Sequence, residues 1–120
     1  MFKFQNNTFH VTRGDRGSIT FSSSDGSNLK GILLFRVYRK EELNSQPVLN
    51  KEVELDNTAP SYVLNIDSVD TLNEFANPEN ERDEYWYELK VDEQTILGYD
   101  ETGAKIFYLY PTGQDKISQE

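Results

Sequence analysis

The sequence predicts an all-β protein, an antiparallel sandwich of seven or eight short strands with one short helical turn. Three observations carry that expectation. In residues 83–111, Tyr85, Tyr87, Leu89 and Val91 alternate with Trp86, Glu88 and Lys90, the period of a strand with one buried face. Further short runs of this kind are punctuated by Gly, Asn, Asp and Pro, the spacing of sandwiches and barrels. A chain of 120 residues is one domain by size, able to bury roughly two thirds of its unfolded surface. Residues 1–113 are expected to form the sandwich and 114–120 a flexible tail.

The elements follow in order. Phe9 and Val11 alternate with Thr8, His10 and Thr12, the first strand. Residues 13–17 form a turn cluster with two glycines, and Ile19 and Phe21 mark the next strand before a polar loop at 22–28. The longest apolar run is 31–40, with Leu33, Phe35 and Val37 facing one way and Ile32, Leu34, Arg36 and Tyr38 the other. Strands are expected at 48–55 and 61–66, the latter with Tyr62, Leu64 and Ile66 in phase and a turn at 57–60 before it. Residues 68–76 carry Val69, Leu72 and Phe75 at helical spacing, and Thr71-Leu72-Asn73-Glu74 fits a capping box, in which hydroxyl and carboxylate satisfy backbone donors reciprocally. Asn77-Pro78 ends that turn, and 79–84 is a charged connection.

Three strands close the chain. After 83–91 comes a short run at 95–98, and Asp100-Glu101-Thr102-Gly103 then supplies turn chemistry, with Gly103 at the left-handed position of a bulged hairpin. Residues 104–110 run back with two apolar faces: Lys105, Phe107 and Leu109 on one, Ile106, Tyr108 and Tyr110 on the other. An antiparallel sheet needs only one apolar face when the other meets water. A second one implies that something docks there. The expected core is Phe21, Leu33, Phe35, Val37, Leu64, Tyr87, Leu89, Phe107 and Leu109. Trp86, Ile106, Tyr108 and Tyr110 are left over as a partner-binding face.

Composition excludes several classes. Twelve basic and 21 acidic residues give a net charge of −9, which argues against nucleic acid and anionic membranes as partners. No cysteine is present, so there is no disulfide framework, thiolate metal site or cysteine nucleophile. The first 30 residues hold no apolar run of signal-peptide length, and no stretch approaches the ~20 apolar residues of a spanning helix.

Candidate chemistry is sparse. Arg13-Gly14-Asp15 matches the integrin-binding tripeptide, but Gly and Asp suit a tight turn in their own right. His10, the one histidine, has no nucleophile elbow or orienting acid around it in sequence. Two facing carboxylates for glycoside hydrolysis are not singled out, and no phosphate loop, dinucleotide fingerprint or HExxH occurs. Glu79, Glu81, Asp83 and Glu84 lack the spacing and central glycine of a calcium loop. The expectation is a protein that is not an enzyme and uses no cofactor or metal. Trp86, Tyr99, Tyr108 and Tyr110 suit either a protein interface or stacking on sugar rings.

Several of these runs carry a resemblance. Thr12-Arg13-Gly14-Asp15 leading into Ile19-x-Phe21, Phe35-Arg36-Val37, Val48-Leu49-Asn50-Lys51, and Asp70-Thr71 after Leu64-Asn65-Ile66 resemble small virion proteins of tailed phages and prophages of Gram-positive bacteria. The similarity is strongest in Tyr85-Trp86-Tyr87-Glu88-Leu89, Thr95-Ile96-Leu97-Gly98-Tyr99-Asp100 and Gly103-Ala104-Lys105-Ile106-Phe107, and it covers roughly residues 8–112. The layout is also similar to the amino-terminal domain of baseplate upper proteins. The resemblance implies an immunoglobulin-like sandwich, a place in the virion after synthesis in the bacterial host cytoplasm, and a role as a tail or baseplate adaptor. Its partners would be other virion subunits and a second copy of itself. Two other readings stand beside it: a virion-surface carbohydrate-binding module, and an acidic inhibitor of a host nucleic-acid-binding protein.

Overall fold

The computed structural model describes residues 1–72 and 80–113. Among them the elements run β1 (Phe2–Gln5), β2 (Thr8–Thr12), β3 (Gly17–Ser22), β4 (Lys30–Arg39), β5 (Leu49–Asp56), β6 (Ser61–Ile66), α1 (Ser68–Leu72), β7 (Asp83–Val91), β8 (Gln94–Leu97) and β9 (Lys105–Tyr110). The protein is all-β, with a curled seven-stranded sheet in the order β1-β2-β9-β7-β4-β5, β8 pairing with β7, and a two-stranded ribbon of β3 and β6. The large sheet is mixed, where an antiparallel one was expected, because β2 runs parallel to β9 while its other pairs are antiparallel.

Two tight turns set the edges of this sheet. Asn6 and Asn7 both take positive φ between β1 and β2, as do Asp92 and Glu93 between β7 and β8. These are two-residue hairpins of the twist-matched type, which needs left-handed backbone at both central positions. Asparagine tolerates that conformation well; glutamate does so at a cost. The Tyr87 hydroxyl donates to the Asn7 carbonyl at 2.6 Å, tying the first turn to the middle of the sheet. Burial of this phenol raises its pKa.

One core joins sheet and ribbon. Phe9, Val11, Leu33, Phe35, Val37, Tyr85, Tyr87, Leu89, Phe107 and Leu109 from the sheet pack with Ile19, Leu64 and Ile66 from the ribbon. Phe9 sits at its centre, with ring centroids 5.6 Å from Phe35, 5.0 Å from Tyr87 and 5.2 Å from Phe107. Lys51 also points to this side, and its ammonium meets the Asp70 carboxylate at 2.7 Å. The ribbon covers less than the whole inner face. A recess of about 350 Å³ therefore remains where Phe21, Leu29, Leu33, Leu89, Val91 and Ile96 meet.

The structure corrects several expectations. Nine strands are present among the described residues, not seven or eight, because Phe2–Gln5 forms an extra edge strand. Phe21, expected in the core, is only half-buried and packs on its rim. The turn at 100–103 does not close a hairpin between β8 and β9. Both pair with the same edge of β7, Leu97 opposite Leu89 and Lys105 opposite Tyr87, so 98–104 loops out of one interrupted strand. Gly103 does take positive φ there and bridges to Asp100.

The helix is capped by other residues than expected. The Asp70 carboxylate accepts from the Asp67 backbone N–H at 2.8 Å, the carboxylate half of a capping box one turn earlier than the Thr71-to-Glu74 pattern. Val69 and Leu72 are exposed, so they form no packed stripe. Asn73, Glu74, Phe75, Pro78 and Glu79 lie outside the described residues, as does the expected tail at 114–120. Thr71 is instead buried, and its hydroxyl accepts from Gly14 N–H at 2.9 Å and lies 2.9 Å from the Asp15 carbonyl. The Arg13-Gly14-Asp15 segment is thus a turn pinned from both sides, closed by Asp15 N–H to Thr12 carbonyl and held to β9 by Arg13 N–H to Tyr110 carbonyl, each 2.9 Å.

Phe35→Ala should cost about 3–5 kcal/mol in urea unfolding, since Phe35 is fully buried and its removal leaves a cavity; a loss below about 1 kcal/mol would mean the register of β4 is shifted by one. Gly14→Ala should cost at least about 1 kcal/mol, because Gly14 has φ +85°, a left-handed conformation that a side chain disfavours. A neutral outcome would show that the turn relaxes without loss.

Candidate docking face

The four residues expected at the partner face do come together. With Tyr85, Tyr87, Phe107 and Leu109 turned inward, period-2 alternation sends their neighbours to the outer side of the sheet. Trp86 stands between Ile106 on β9 and Tyr38 on β4. Tyr108 stands between Glu84 on β7 and His10 on β2, and Tyr110 lies opposite Thr12. No element among the described residues lies over this side, yet Trp86, Ile106, Tyr108 and Tyr110 are half-buried rather than exposed. They shield one another.

Polar contacts hold the rings in place. Arg82 places its guanidinium 3.7 Å above the Tyr108 ring, a cation–π contact, and donates to the Tyr110 hydroxyl at 3.3 Å. That hydroxyl is 2.7 Å from His10 Nδ1. Burial first, then the charges of Lys3 and Arg82, lower the His10 pKa. The neutral ring is therefore favoured, and its Nδ1 shares a hydrogen bond with the Tyr110 hydroxyl, which also accepts from Arg82. Trp86 Nε1–H donates to Glu84 at 3.3 Å, and Tyr38 donates to Glu88 at 3.1 Å. Tyr99, strongly exposed on the 98–104 excursion, packs on Trp86 with centroids 5.6 Å apart. The base of that excursion is fixed by Asp100. Hydrogen bonds from the Thr102 side chain and backbone, and then Lys105, bring its pKa down to about 2.

His10, Tyr38, Arg82 and Tyr99 were not assigned to the face from sequence. His10 reaches it through the parallel pairing of β2 with β9, a long-range contact with no local signal. Arg82 lies in the charged connection, where nothing marks it for a stacking role. Tyr38 and Tyr99 carried more of a signal: Tyr38 was in the correct phase of β4, and Tyr99 stood among the candidate aromatics.

The other sequence candidates disperse. Glu84 belongs to the outer face, Asp83 opens β7, Glu81 is exposed and Glu79 is outside the described residues. Among the described residues no group of three or more His, Cys, Asp or Glu side chains is placed to hold a metal ion. None of the described helices is long and apolar enough to cross a membrane. No family model matches the chain, and neither the curated proteins nor the solved structures give a significant match.

The His10 contact makes stability depend on pH. Its folded-state pKa lies below the reference value of 6.5, so the unfolded chain takes up the proton first as pH falls. The contribution of neutral His10 is complete above that value and is lost as pH falls through the folded-state pKa. His10→Gln should therefore flatten the rise of Tm between about pH 5 and 7. An unchanged slope would assign the pH dependence to other groups.

Proposed function

We propose that the chain is a non-catalytic structural subunit of a tailed-phage or prophage virion, an adaptor of the tail or baseplate that assembles through the outer face of its large sheet. The observation that carries this reading is the contiguous aromatic surface of Tyr108, Tyr110, Ile106, Trp86 and Tyr99, left uncovered by any described element. Its composition is that of interface centres, where Trp, Tyr and Arg dominate binding energy. The Arg82–Tyr110–His10 chain and the Trp86–Glu84 bond already restrain these side chains, so docking would immobilise little that is free beforehand.

The strand order supports the finer fold reading, an immunoglobulin-like sandwich. In chain order β3, β4, β5, β6, β7 and β9 fall where strands B, C, C′, E, F and G of such a domain would. The neighbours β5-β4-β7-β9 and β3-β6 repeat its C′-C-F-G and B-E pairings. The virion assignment is supported by the sequence resemblance in 85–89, 95–100 and 103–107. Those segments supply the central strand of the face, the Tyr99 excursion and the start of β9.

The alternatives draw less support. Trp86 and Tyr99 meet at 44° instead of presenting one flat platform, which favours protein contact over sugar stacking. Carboxylates on the central outer strands alternate with Lys30, Arg36 and Lys90, unlike the single acidic face of a phosphate mimic.

Trp86→Ala combined with Tyr108→Ala tests the proposal. The double variant should keep a Tm within a few degrees of wild type, since neither ring belongs to the core cluster. It should fail to enter particles released by cells that encode the protein, as read by immunogold labelling. A variant that unfolds would make the rings structural, and one that folds and is still incorporated would sink the docking face.

A further inference from the structure

We propose that the recess on the inner side of the sheet, together with the free edge of β8 beside it, binds an extended peptide segment of a partner. That segment carries bulky apolar side chains two residues apart, with basic residues next to them. This second surface lies on the opposite side of the sheet from Trp86 and Tyr108 and does not depend on the docking-face reading.

The recess exists because one edge of the sheet stops short. β2 pairs with residues 107–110 of β9, and the chain before it turns at Asn6-Asn7 and lies along the far side of β2 as β1. Among the described residues β8 therefore pairs with β7 alone. Across from it the ribbon strand β3 ends at Phe21 and Ser22. The space between is about 350 Å³, walled by Phe21, Leu29, Val91 and Ile96 over Leu33 and Leu89. An apolar cavity of about 150 Å³ takes one benzene-sized molecule, so this recess has room for roughly two such groups. Side chains at i and i+2 of a strand share a face, and one extended segment delivers two of them together.

The edge of β8 is what calls for a polypeptide. Asp92 and Glu93 both have positive φ, the geometry of a two-residue hairpin in which Val91 and Gln94 exchange hydrogen bonds. The next residue, Thr95, then aims its N–H and C=O away from β7. No backbone hydrogen bond to another described segment occupies them. Leu97 and Thr95 stand opposite Leu89 and Lys90, so Ile96 is the extra residue of a bulge, a device that re-aims a side chain. Ile96 lines the recess yet is 55% exposed. A strand laid along β8 would bond to Thr95 and cover Ile96 with its inward side chains, the mode in which main-chain bonds give affinity and pockets give specificity.

Charge sets the flanking residues. Asp25 borders the recess. Its Oδ1 accepts from the Ser27 hydroxyl at 2.6 Å and the Ser27 N–H at 3.0 Å, bonds that hold its pKa below the usual carboxylate value. Its Oδ2 takes no hydrogen bond among the described residues. Asp92 and Glu93 lead directly into β8, whereas Lys30 and Lys90 alternate to the outer side of the sheet. A basic residue beside the apolar anchors meets carboxylates here.

An array of immobilised heptapeptides tests the inference with the full chain as analyte. Positions three and five are varied through all residues, and the flanks are Lys, Glu or Ser. Bound sequences should carry aromatic or branched aliphatic residues at both varied positions and should prefer Lys flanks to Glu about threefold or more. Titrated into nitrogen-15-labelled protein, the best-bound heptapeptide should shift the amides of Ser22 to Asp25 and Gln94 to Leu97. Ile96→Asp and Asp25→Lys both fall on exposed positions; each should keep the wild-type Tm and weaken that peptide about tenfold. They lie on separate segments, so a folding defect in one leaves the other to decide. Methylating the peptide nitrogens one at a time should cost about tenfold at the amide that pairs with Thr95. Tolerance of every methylation would make the recess a site for an apolar group alone and overturn strand addition. An array that binds nothing or shows no apolar preference, variants that bind like wild type, or shifts centred on Trp86 and Tyr108 would overturn the recess as the site.

Discussion

The aromatic cluster around Phe9 is the constraint on which the rest of the molecule depends. Phe9, Phe35, Tyr87 and Phe107 come from β2, β4, β7 and β9, and their rings lie within contact of one another at the centre of the inner face. Side chains in a strand alternate, so seating these four inward leaves no choice for their neighbours. His10, Arg36, Trp86, Glu88, Ile106 and Tyr108 must stand outside. The outer face is the obligatory reverse of the core, and a slip of one residue would turn Arg36 of β4 or Glu84 and Glu88 of β7 inward.

The smaller layer has a different logic. Two strands cannot cover seven, and the ribbon of β3 and β6 is supplemented by Phe2 and by the segment around α1. Phe2 packs directly over Gly17, where a Cβ would fall 2.2 Å from its ring. Thr71 links the helix to the Arg13–Asp15 turn through its one hydroxyl. A motif that reads as an adhesion tripeptide in sequence therefore has its backbone engaged in tertiary contacts. The turn joins the end of β2 to the ribbon and holds the two layers together at that corner.

Net charge describes this protein poorly. A value of −9 sets solubility and disfavours polyanions at long range. At contact distances the outer face is mixed: Arg82 lies over Tyr108 beside Glu84, and β5 turns Glu52, Glu54 and Asp56 outward. Salt screens charges over about 8–10 Å, less than the width of the sheet, so these groups act locally. The single histidine sits on the same face, with its proton affinity reduced by burial and by Lys3 and Arg82.

Much of the fold was legible in local pattern. Alternation in 31–40, 83–91 and 104–110 placed Leu33, Phe35, Val37, Tyr87, Leu89, Phe107 and Leu109 inside and set Trp86, Ile106, Tyr108 and Tyr110 on the opposite side, because a period of two is a property of the strand itself. Other features depended on which strands meet. The parallel pairing that brings His10 beside Tyr108, the stacking of Arg82, the return of Tyr99 onto Trp86 and the use of Thr71 as a buried link all join residues distant in sequence or lying in irregular segments. The Asn6-Asn7 turn was a local signal of the extra strand, but only pairing with β2 made Phe2–Gln5 a strand. Sequence alone determined which side chains share a face; tertiary pairing decided which faces become one surface, because strand order is set by long-range burial that no local period encodes.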